Sequence, residues 1–581
     1  MTCEVALDFG YPLNVKYVTY SSKIHWVVVL FLLGSGHDLI AWASRVHQAA
    51  RWCRASHGRL MDTRSGRPFR WWDIFTLGRP EGEPRSWRHC AMTRRPVAIA
   101  LRFVDALFIL LIMPHSAPHV ASRIVLVAAA FVAFAAAITS QPPKGLSDFD
   151  QSFYLTIAYD IDRYGVFSNG MFDNTDSTRE APPPGMFFVP GYPLLVVAAM
   201  KMDSRFAKAV ECSVEANHNR RNVAECEVYA TPINITHAFL LALGVLAVAL
   251  SGELIFGSAR VFWIAGVLAT GGLSAKADLF SYIMTESMTV SLYSIFALFA
   301  VLAWKSSRIG YFALAGIFLG LLCLTRPSFV ILIPILLLLI ALNGRWLANK
   351  SMRSAWSHLL AFAAACLIVV GPWTARNHFS VGKWGLTEEY GSATLVERLA
   401  YNDMTAWEFM LAFPYCMPGI GDIAFDQVDG NDSMHRFLYR THDSFFQVGR
   451  ERRDTLVNQY GRLDPLIAGI VLDEMRTNWW RHLLVSIPLG WCGMWAWGLW
   501  SLVLVPLFGW AFVRAARQAR PMLLLYAVPA VAMLGLHAVV VNPYSRYNLI
   551  LIGPFSVGAA WIISTSPRNG RLRLRALAPG P

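Results

Sequence analysis

Residues 120–160 read VASRIVLVAAAFVAFAAAITSQPPKGLSDFDQSFYLTIAYD, and this stretch joins a strongly apolar segment to an acidic one. Residues 120–140 have the length that a helix needs to cross the hydrocarbon core, about 20 apolar residues. Asp148 and Asp150 follow eight and ten residues after residue 140. We therefore expect carboxylates at the mouth of a membrane helix bundle, a placement that favours chemistry at the bilayer surface.

The composition of the chain indicates a polytopic membrane protein. Of its 581 residues, 55% are hydrophobic and 15% are charged, whereas about 25% of residues are charged in ordinary globular domains. Apolar runs of about 17 to 25 residues, long enough to cross a bilayer, recur along the chain. The predicted crossings are 120–140, 231–255, 259–276, 280–304, 309–325, 327–343, 357–373, 482–508, 521–541 and 546–565.

The basic residues orient these crossings. Short basic connections between apolar helices lie on the cytoplasmic side of membrane proteins, so the net charge of +13 predicts an orientation and argues against a nucleic-acid partner. The connections expected in the cytoplasm are 257–260, 305–308, 344–354 and 512–520. The connections expected on the external side are 141–230, 277–279, 374–481 and 542–545.

This topology divides the chain into four parts. They are a basic N-terminal extension, cytoplasmic or interfacial (1–119), a transmembrane core with the external loop 141–230 (120–373), an external insert (374–481), and C-terminal transmembrane helices with a basic cytoplasmic tail (482–581). For the extension, a start of the native protein at Met92 or Met113 is an alternative to a start at Met1.

Two features of the first external loop bear on the topology. The apolar segment 185–202 contains Pro190 and Pro193, which interrupt a helix, so we predict a segment lying in the outer interface rather than a crossing. Cys212 and Cys226 share the polar part of the same loop. In an oxidising compartment they would form a disulfide, and two free thiols are equally compatible with the sequence.

Acidic side chains near predicted helix ends are the candidates for catalysis. Asp150 begins a run with helical spacing, so its carboxylate would lie at the N-terminal end of an interfacial helix and would suit removal of a proton from a hydroxyl. Capping of that helix is the alternative. Glu286 lies near the outer end of the crossing 280–304. An acidic residue inside a membrane segment is costly and indicates function, and a carboxylate favoured by the helix dipole is the alternative.

Basic side chains on the same external face are the candidates for binding an anion. Arg326 lies between two crossings, Arg376 follows the crossing 357–373, and Arg546 opens the last crossing. A guanidinium binds phosphate through a planar fork of donors, whereas an arginine at a helix end also anchors the helix at the interface. Lys144 precedes the acidic stretch and is a further candidate.

Several segments resemble motifs of the GT-C membrane glycosyltransferases, and the protein O-mannosyltransferase and lipid A aminoarabinose transferase group is nearest. Residues 150–158 (DQSFYLTIA) with 164–167 (YGVF) are similar to the D-E-x-x-Y-x-x-x-A…G-x-F pattern of the first external loop. The elements P-P-x-Y-P, P-W-x-x-R-N and x-x-R-Y are matched by 183–193, 371–378 and 542–547.

The resemblance implies a fold and a reaction. The fold would be an all-α polytopic membrane protein, a GT-C-like bundle of about 10–13 transmembrane helices with external juxtamembrane helices in the first loop and a large later external loop. The reaction would move a sugar from a polyprenyl-phosphate donor to a hydroxyl of a glycan, lipid or protein acceptor. Its expected place is the external face of a bacterial inner membrane, with inversion at the sugar C1.

The resemblance also implies roles for individual residues. Asp150, Asp148 and Glu286 would be catalytic, with Asp150 as the base. The donor phosphate would be bound by Arg546, Arg376, Arg326, Lys144 and Tyr547. A divalent cation, Mg²⁺ or Mn²⁺, is a candidate cofactor. Gln151 stands where the family commonly has Glu, so Asp148 is the carboxylate that would complete a metal-binding pair.

Two other kinds of protein remain alternatives. A secondary transporter also has many crossings and intramembrane charges, although such proteins commonly show paired halves with charges near the midplane. A polymerase or ligase of lipid-linked glycans shares large external loops. The sequence contains no G-x-x-x-x-G-K-[ST] loop and no G-x-G-x-x-G after a strand, the signatures of soluble nucleotide-binding folds.

Overall fold

The computed structural model describes residues 117–146, 150–170, 181–218, 223–342, 352–388, 390–421, 434–437, 441–460, 465–541 and 544–565. Nearly all of the predicted extension 1–119 and the basic tail after residue 565 therefore lie outside the described residues, and so does Asp148. Residues from Ser122 onwards belong to one compact unit.

The described ranges contain helices and no strand, so the predicted all-α class is confirmed for them. Up to the middle of the chain the helices are α1 (Ala117–Thr139), α2 (Gln151–Tyr164), α3 (Gly191–Met202), α4 (Ser204–His218), α5 (Thr231–Phe256), α6 (Ala259–Ser274), α7 (Glu286–Ser306), α8 (Ile309–Cys323) and α9 (Leu332–Leu342). The later helices are α10 (Met352–Val381), α11 (Tyr390–Leu399), α12 (Ala406–Tyr415), α13 (Phe445–Tyr460), α14 (Pro465–Thr477), α15 (Trp479–Met494), α16 (Ser501–Arg517), α17 (Pro521–Val540) and α18 (Ile552–Thr565). Short 3₁₀ segments precede α9 (Pro327–Ile331) and α18 (Ser545–Leu551).

Seven segments of the described chain are long and apolar enough to cross a membrane. They are formed by α1, α5, α7, α10, α16, α17, and α18 with its preceding turn. The shorter apolar helices α6 and α8, and α9 with its 3₁₀ segment, occupy three further predicted crossings. The protein is therefore a multi-pass integral membrane protein, as its composition predicts.

Helix α7 forms the centre of the bundle. Its most apolar window is 94% buried, against 28% for α1 and α10, because α7 carries apolar or small residues on all sides. Two of its hydroxyls bond within the helix, since Ser291 and Ser294 donate to the carbonyls of Ser287 and Val290 at 2.7 and 2.8 Å. The peripheral helices leave their apolar faces for lipid.

The prediction of one crossing over 482–508 is wrong. Helix α15 ends at Met494 and α16 begins at Ser501, because the chain turns through Gly498 in a left-handed conformation with φ of +55° that glycine adopts at little cost. The Trp497 N–H donates to the Ser501 Oγ at 3.0 Å and closes this turn. A continuous apolar run thus hides a bend that hydrophobicity alone does not reveal.

The loop 141–230, which the sequence predicts to be external, folds into a small helical layer in its described part. Helices α2, α3 and α4 share a buried cluster that includes Leu155, Tyr192, Val196 and Phe206. Helix α3 has 12 residues, about 18 Å of rise, which is too short to cross about 30 Å of hydrocarbon. The segment 185–202 is therefore not a crossing, as predicted, and its interfacial position stays a prediction.

Cys212 and Cys226, which the sequence left undecided, form a disulfide. A second disulfide joins Cys416, at the end of α12, to Cys492 in α15, and sequence reasoning did not find it. These two cysteines are 76 residues apart, and neither has another cysteine close to it in the sequence. Only the packing of α12 against α15 brings them together.

A buried arginine connects the insert 374–481 to the helices that follow it. Arg398 of α11 is fully buried and donates to the Ala538 carbonyl of α17 at 2.8 Å and to the Ser486 hydroxyl of α15 at 2.9 Å. Burial lowers the pKa of Arg398 to about 10, so its guanidinium stays charged at neutral pH. A charge with such partners fixes the insert over the end of the bundle.

Candidate active site

Helix ends and loops from distant parts of the chain enclose a cavity of about 660 Å³. Its wall contains four charged side chains, those of Asp150, Glu286, Arg326 and Arg546, and also the side chain of Tyr547. All five are candidates from the sequence, and the fold brings them together. They come from the start of α2, the start of α7, and the segments that lead into α9 and α18.

The Asp150 carboxylate is accessible from the cavity. Asp150 precedes the first residue of α2, yet its side chain makes no capping hydrogen bond, so capping does not account for this carboxylate. Its Oδ2 accepts from the Arg546 Nη2 at 3.0 Å, across 396 residues of sequence. The Asp150 side chain is 45% exposed, which allows a substrate hydroxyl to reach it.

The Glu286 carboxylate is buried between two arginines. Glu286 is the first residue of α7 and is only 2% exposed. Its Oε1 accepts from the Arg326 Nη2 at 2.6 Å and lies 4.0 Å from the Arg546 Nη1. Its Oε2 has no hydrogen-bond partner among the described residues. A favourable interaction with the helix dipole therefore does not by itself account for this carboxylate, which is also part of the charged cluster in the cavity wall.

The two guanidinium groups converge on one aromatic ring. Arg326 lies 5.4 Å and Arg546 5.3 Å from the centroid of the Tyr547 ring, within the range of a cation–π contact. The Arg326 Nε also donates to the Thr285 Oγ1 at 2.8 Å. Arg326 therefore faces the cavity and the protein interior rather than snorkelling towards the interface.

The charges of the site balance. Asp150 and Glu286 contribute two negative charges, and Arg326 and Arg546 contribute two positive charges. Paired charges in a poorly solvated place are stable only while each keeps a partner. An anionic ligand that binds Arg546 would therefore displace Asp150 from it and leave that carboxylate able to accept a proton.

Sequence reasoning assigned no role to two residues that the structure adds to the site. Tyr154 and Thr285 line the cavity, one on the same face of α2 as Asp150 and the other bound to Arg326. Burial, with the nearby Asp150 carboxylate, raises the pKa of the Tyr154 phenol far above its usual value near 10. A spacing of four residues from Asp150 is the signal that would have pointed to Tyr154.

The structure does not bring Lys144 and Arg376 to the cavity wall. Lys144 forms an ion pair with Asp278 and lies over the Tyr282 ring. Helix α10 continues through Pro372 to Val381, so Arg376 lies on a helix rather than in the predicted loop. Its guanidinium donates to backbone carbonyl oxygens.

The lining of the cavity is divided between two kinds of surface. Aliphatic side chains come from the transmembrane segments, and they are Val330, Ile331, Val370, Leu536 and Val540. The loops that follow α2 and α10 contribute the aromatic rings of Phe187 and Phe188, the hydroxyl of Thr387 and the side chain of Leu386. The charged cluster lies in the same wall. Such a cavity suits a molecule with a long apolar part and an anionic head.

A divalent cation stays a prediction. The described residues contain no cluster of three or more His, Cys, Asp or Glu side chains. Asp150 and Glu286 are the acidic residues in the described cavity wall, and each already has an arginine partner. A cation bound there would have to displace a guanidinium, unless Asp148, which lies outside the described residues, also takes part.

Neither a protein-family model nor a curated protein sequence matches the chain. Solved structures do resemble it. The archaeal oligosaccharyltransferase AglB from Archaeoglobus fulgidus, in complex with an inhibitory peptide and a dolichol-phosphate, matches 76% of this chain and 50% of its own at 14% identity, with a TM-score of 0.41. The chain thus spans about half the length of that enzyme.

ArnT from Cupriavidus metallidurans, bound to undecaprenyl phosphate, matches 75% of this chain and 77% of its own at 16% identity, with a TM-score of 0.31. Both TM-scores lie below 0.5, so these likenesses carry no conclusion about function.

Proposed function

We propose that the protein is a membrane glycosyltransferase that moves a sugar from a polyprenyl-phosphate donor to an acceptor hydroxyl. The observation that carries the proposal is the Asp150–Arg546–Glu286–Arg326 cluster in a cavity whose remaining wall is partly aliphatic and derived from membrane helices. A lipid phosphate has the matching chemistry, an anionic head on an apolar chain. The motifs of the first external loop point to the same reaction class.

In the proposed reaction the donor phosphate binds Arg546 and Arg326, and the Asp150 carboxylate is released from its ion pair. Asp150 then takes the proton of the acceptor hydroxyl while that oxygen attacks C1 of the sugar. The bond between C1 and the phosphate oxygen breaks, and polyprenyl phosphate leaves with its added negative charge balanced by the two guanidinium groups. One base and one displacement invert the configuration at C1.

Glu286 has a supporting role in this scheme. Its carboxylate holds Arg326 at 2.6 Å and lies 4.0 Å from Arg546, so it keeps both guanidinium groups in place before the donor arrives. A preorganised pair of cations stabilises the departing phosphate without reorganisation during the reaction. We further propose that the cavity opens on the external side of a bacterial inner membrane. A divalent cation would be held by Asp150 together with Asp148 and would supply positive charge beside the leaving phosphate.

The test is a transfer assay with purified protein, radiolabelled polyprenyl-phosphate sugars and a membrane extract as the source of acceptor. Asp150→Asn should lower kcat by about 10²- to 10⁴-fold, the usual contribution of a general base. Asp162→Asn is the matched control, because Asp162 lies on the same helix but pairs with Lys201 outside the cavity. Equal transfer by Asp150→Asn and wild type would remove Asp150 from the base role.

The same preparation separates the enzyme from a transporter. In proteoliposomes a transporter accumulates its substrate without chemical change, whereas the proposed enzyme converts the donor into free polyprenyl phosphate and a glycosylated product. Accumulation of intact substrate with no product would overturn the proposed function. A ladder of products with increasing numbers of sugars would indicate the polymerase alternative.

A further inference from the structure

The C-terminal end of α10 binds the first external loop through a single guanidinium. The Arg376 Nη2 donates to the Phe167 carbonyl at 2.9 Å, and its Nη1 donates to the Gly185 carbonyl. The same Nη1 donates to the Asn377 Oδ1 at 3.0 Å. The planar donors of a guanidinium join two carbonyls in a fixed geometry, which the single ammonium group of a lysine does not provide.

The neighbouring residue binds a second loop in the same manner. The Asn377 Nδ2 donates to the Gly385 carbonyl at 2.9 Å and to the Leu386 carbonyl at 3.4 Å. The Trp373 indole N–H, one turn earlier, also donates to the Leu386 carbonyl, at 2.8 Å. One face of α10 therefore holds the backbone of two loops that are distant in sequence. We call Trp373, Arg376 and Asn377 the carbonyl clamp.

The loop held by Arg376 has little freedom of its own. The Gly185 N–H donates to the Phe167 carbonyl at 2.7 Å, and the Asn169 Oδ1 accepts from the N–H groups of Met186 and Phe187 at 2.8 and 2.9 Å. A Cβ at Gly185 would lie 2.2 Å from that Oδ1, so only glycine fits there. The carbonyl clamp thus binds a preformed loop.

Both clamped loops form the wall of the cavity. Phe187, Phe188, Leu386 and Thr387 line it, and the Phe188 ring lies 5.3 Å from the ring of Tyr154. This loop-derived wall is distinct from the aliphatic wall of the membrane helices. A polyprenyl chain has to lie against the aliphatic wall, because it comes from the bilayer, so the loop-derived wall is left for the acceptor.

We propose that the carbonyl clamp positions Phe187, Phe188 and Leu386 as the acceptor-binding face of the cavity. Arg376 and Asn377 are then positioning residues that touch neither the donor nor the acceptor. This inference rests on the proposed function, and it assigns to Arg376 a role other than binding the donor phosphate. It separates the residues that set acceptor affinity from Arg326 and Arg546, which would set donor affinity.

The first test needs no substrate. Hydrogen exchange of the purified full-length protein in lipid nanodiscs should show faster exchange of the amides of 185–188 in Arg376→Gln, by about ten- to a hundredfold, because two hydrogen bonds from a charged donor to that loop are lost. Exchange of 386–388 should also become faster, since the Glu388 N–H donates to the Met186 carbonyl at 3.1 Å. Asn377→Asp should affect mainly 386–388, since the carboxylate still accepts from Arg376 but cannot donate. Arg163→Gln, at an exposed ion pair on α2, is the control that should change neither segment.

The second test compares the effects of the substitutions on the acceptor KM and on the donor KM. In the transfer assay, Arg376→Gln and Asn377→Asp should raise the acceptor KM about tenfold and leave the donor KM and inhibition by undecaprenyl phosphate within about twofold of wild type. Phe187→Leu leaves the carbonyl clamp intact and should raise the acceptor KM alone. It keeps the proposal testable even if the Arg376 variant folds poorly.

The opposite pattern refutes the proposal. A raised donor KM with weakened inhibition by undecaprenyl phosphate would make Arg376 a phosphate ligand. Unchanged exchange in both loops would show that the carbonyl clamp holds nothing. If the wild type transfers no sugar from any lipid-linked donor, the proposed function fails, whereas faster exchange in the variants would still establish that the clamp orders the cavity wall.

Discussion

Replacing Glu286 by Gln tests the charged cluster most directly. Gln has almost the same shape as Glu and keeps an oxygen that can accept from Arg326, so the substitution removes the charge and little else. The two guanidinium groups would then share the single carboxylate of Asp150. Because Glu286 is 2% exposed, water cannot replace the lost charge, and we expect the protein to become less stable.

The magnitude follows from the two distances. At 2.6 Å from Arg326 and 4.0 Å from Arg546, Coulomb's law with an effective dielectric constant of about 20 gives attractions of about 6 and 4 kcal/mol. Desolvation of the charges offsets part of this, and breaking one partner of a buried pair costs about 3–5 kcal/mol. Since one hydrogen bond survives in Glu286→Gln, we expect a loss of about 3 kcal/mol in the free energy of unfolding.

The assay is unfolding by SDS in mixed micelles, followed by tryptophan fluorescence. Glu211→Gln is the matched control, because Glu211 also pairs with an arginine, Arg163, but both side chains are about half exposed. That pair should contribute about 0–1 kcal/mol. If the two variants unfold at the same SDS fraction, the cluster is not a buried charge network and the reasoning about Arg326 and Arg546 is wrong.

Three further predictions concern the insert, the helix α15 against which it packs, and the topology. Burial lowers the pKa of His482 from its usual 6.5 to about 4. Between these pH values the unfolded chain binds a proton at His482 and the native protein does not. The free energy of unfolding should therefore fall as the pH drops from 6.5 to 4. His482→Asn should make this slope shallower, by the contribution of one histidine, in thermal unfolding scans. Replacing Cys416 and Cys492 by Ser should lower the free energy of unfolding by about 2–4 kcal/mol, since their disulfide closes a long loop; an unchanged midpoint in SDS titrations would contradict this. A cysteine introduced at Trp407 should react with an impermeant maleimide added to intact cells, and one at Gln518 should react only after the cells are opened; the reverse result would invert the predicted orientation.

The sequence predicted the crossings well, for a simple reason. About 20 apolar residues in a row have to cross a bilayer as a helix, because no other structure satisfies their backbone hydrogen bonds in lipid. The exception, 482–508, shows the limit of that rule. Composition cannot distinguish one long helix from two helices joined by a turn, and here Gly498 and the packing of α15 against the insert decide.

Residue chemistry on its own also selected most of the candidate site. Charged residues in or next to membrane segments are energetically costly, so the sequence alone marks them as candidates for function. Here they are a carboxylate at a membrane surface, an acidic residue at the start of a buried helix, and arginines between crossings. The sequence does not predict which of these residues contact one another, because Asp150 and Arg546 are separated by 396 residues. Only the packing of α18 and its preceding 3₁₀ segment against α5, α6 and α7 places them 3.0 Å apart.

The sequence by itself thus determined that the chain lies in a membrane, where most of its crossings are, and which ionisable residues are too costly to be incidental. The tertiary structure alone decided which of those residues share a cavity. In the sequence, Arg376 follows one predicted crossing and Arg546 opens another, and the two side chains are identical. In the structure, Arg376 donates to carbonyl oxygens, whereas Arg546 donates to a carboxylate. A guanidinium binds whatever acceptors the fold places before it, and that placement depends on contacts between distant segments.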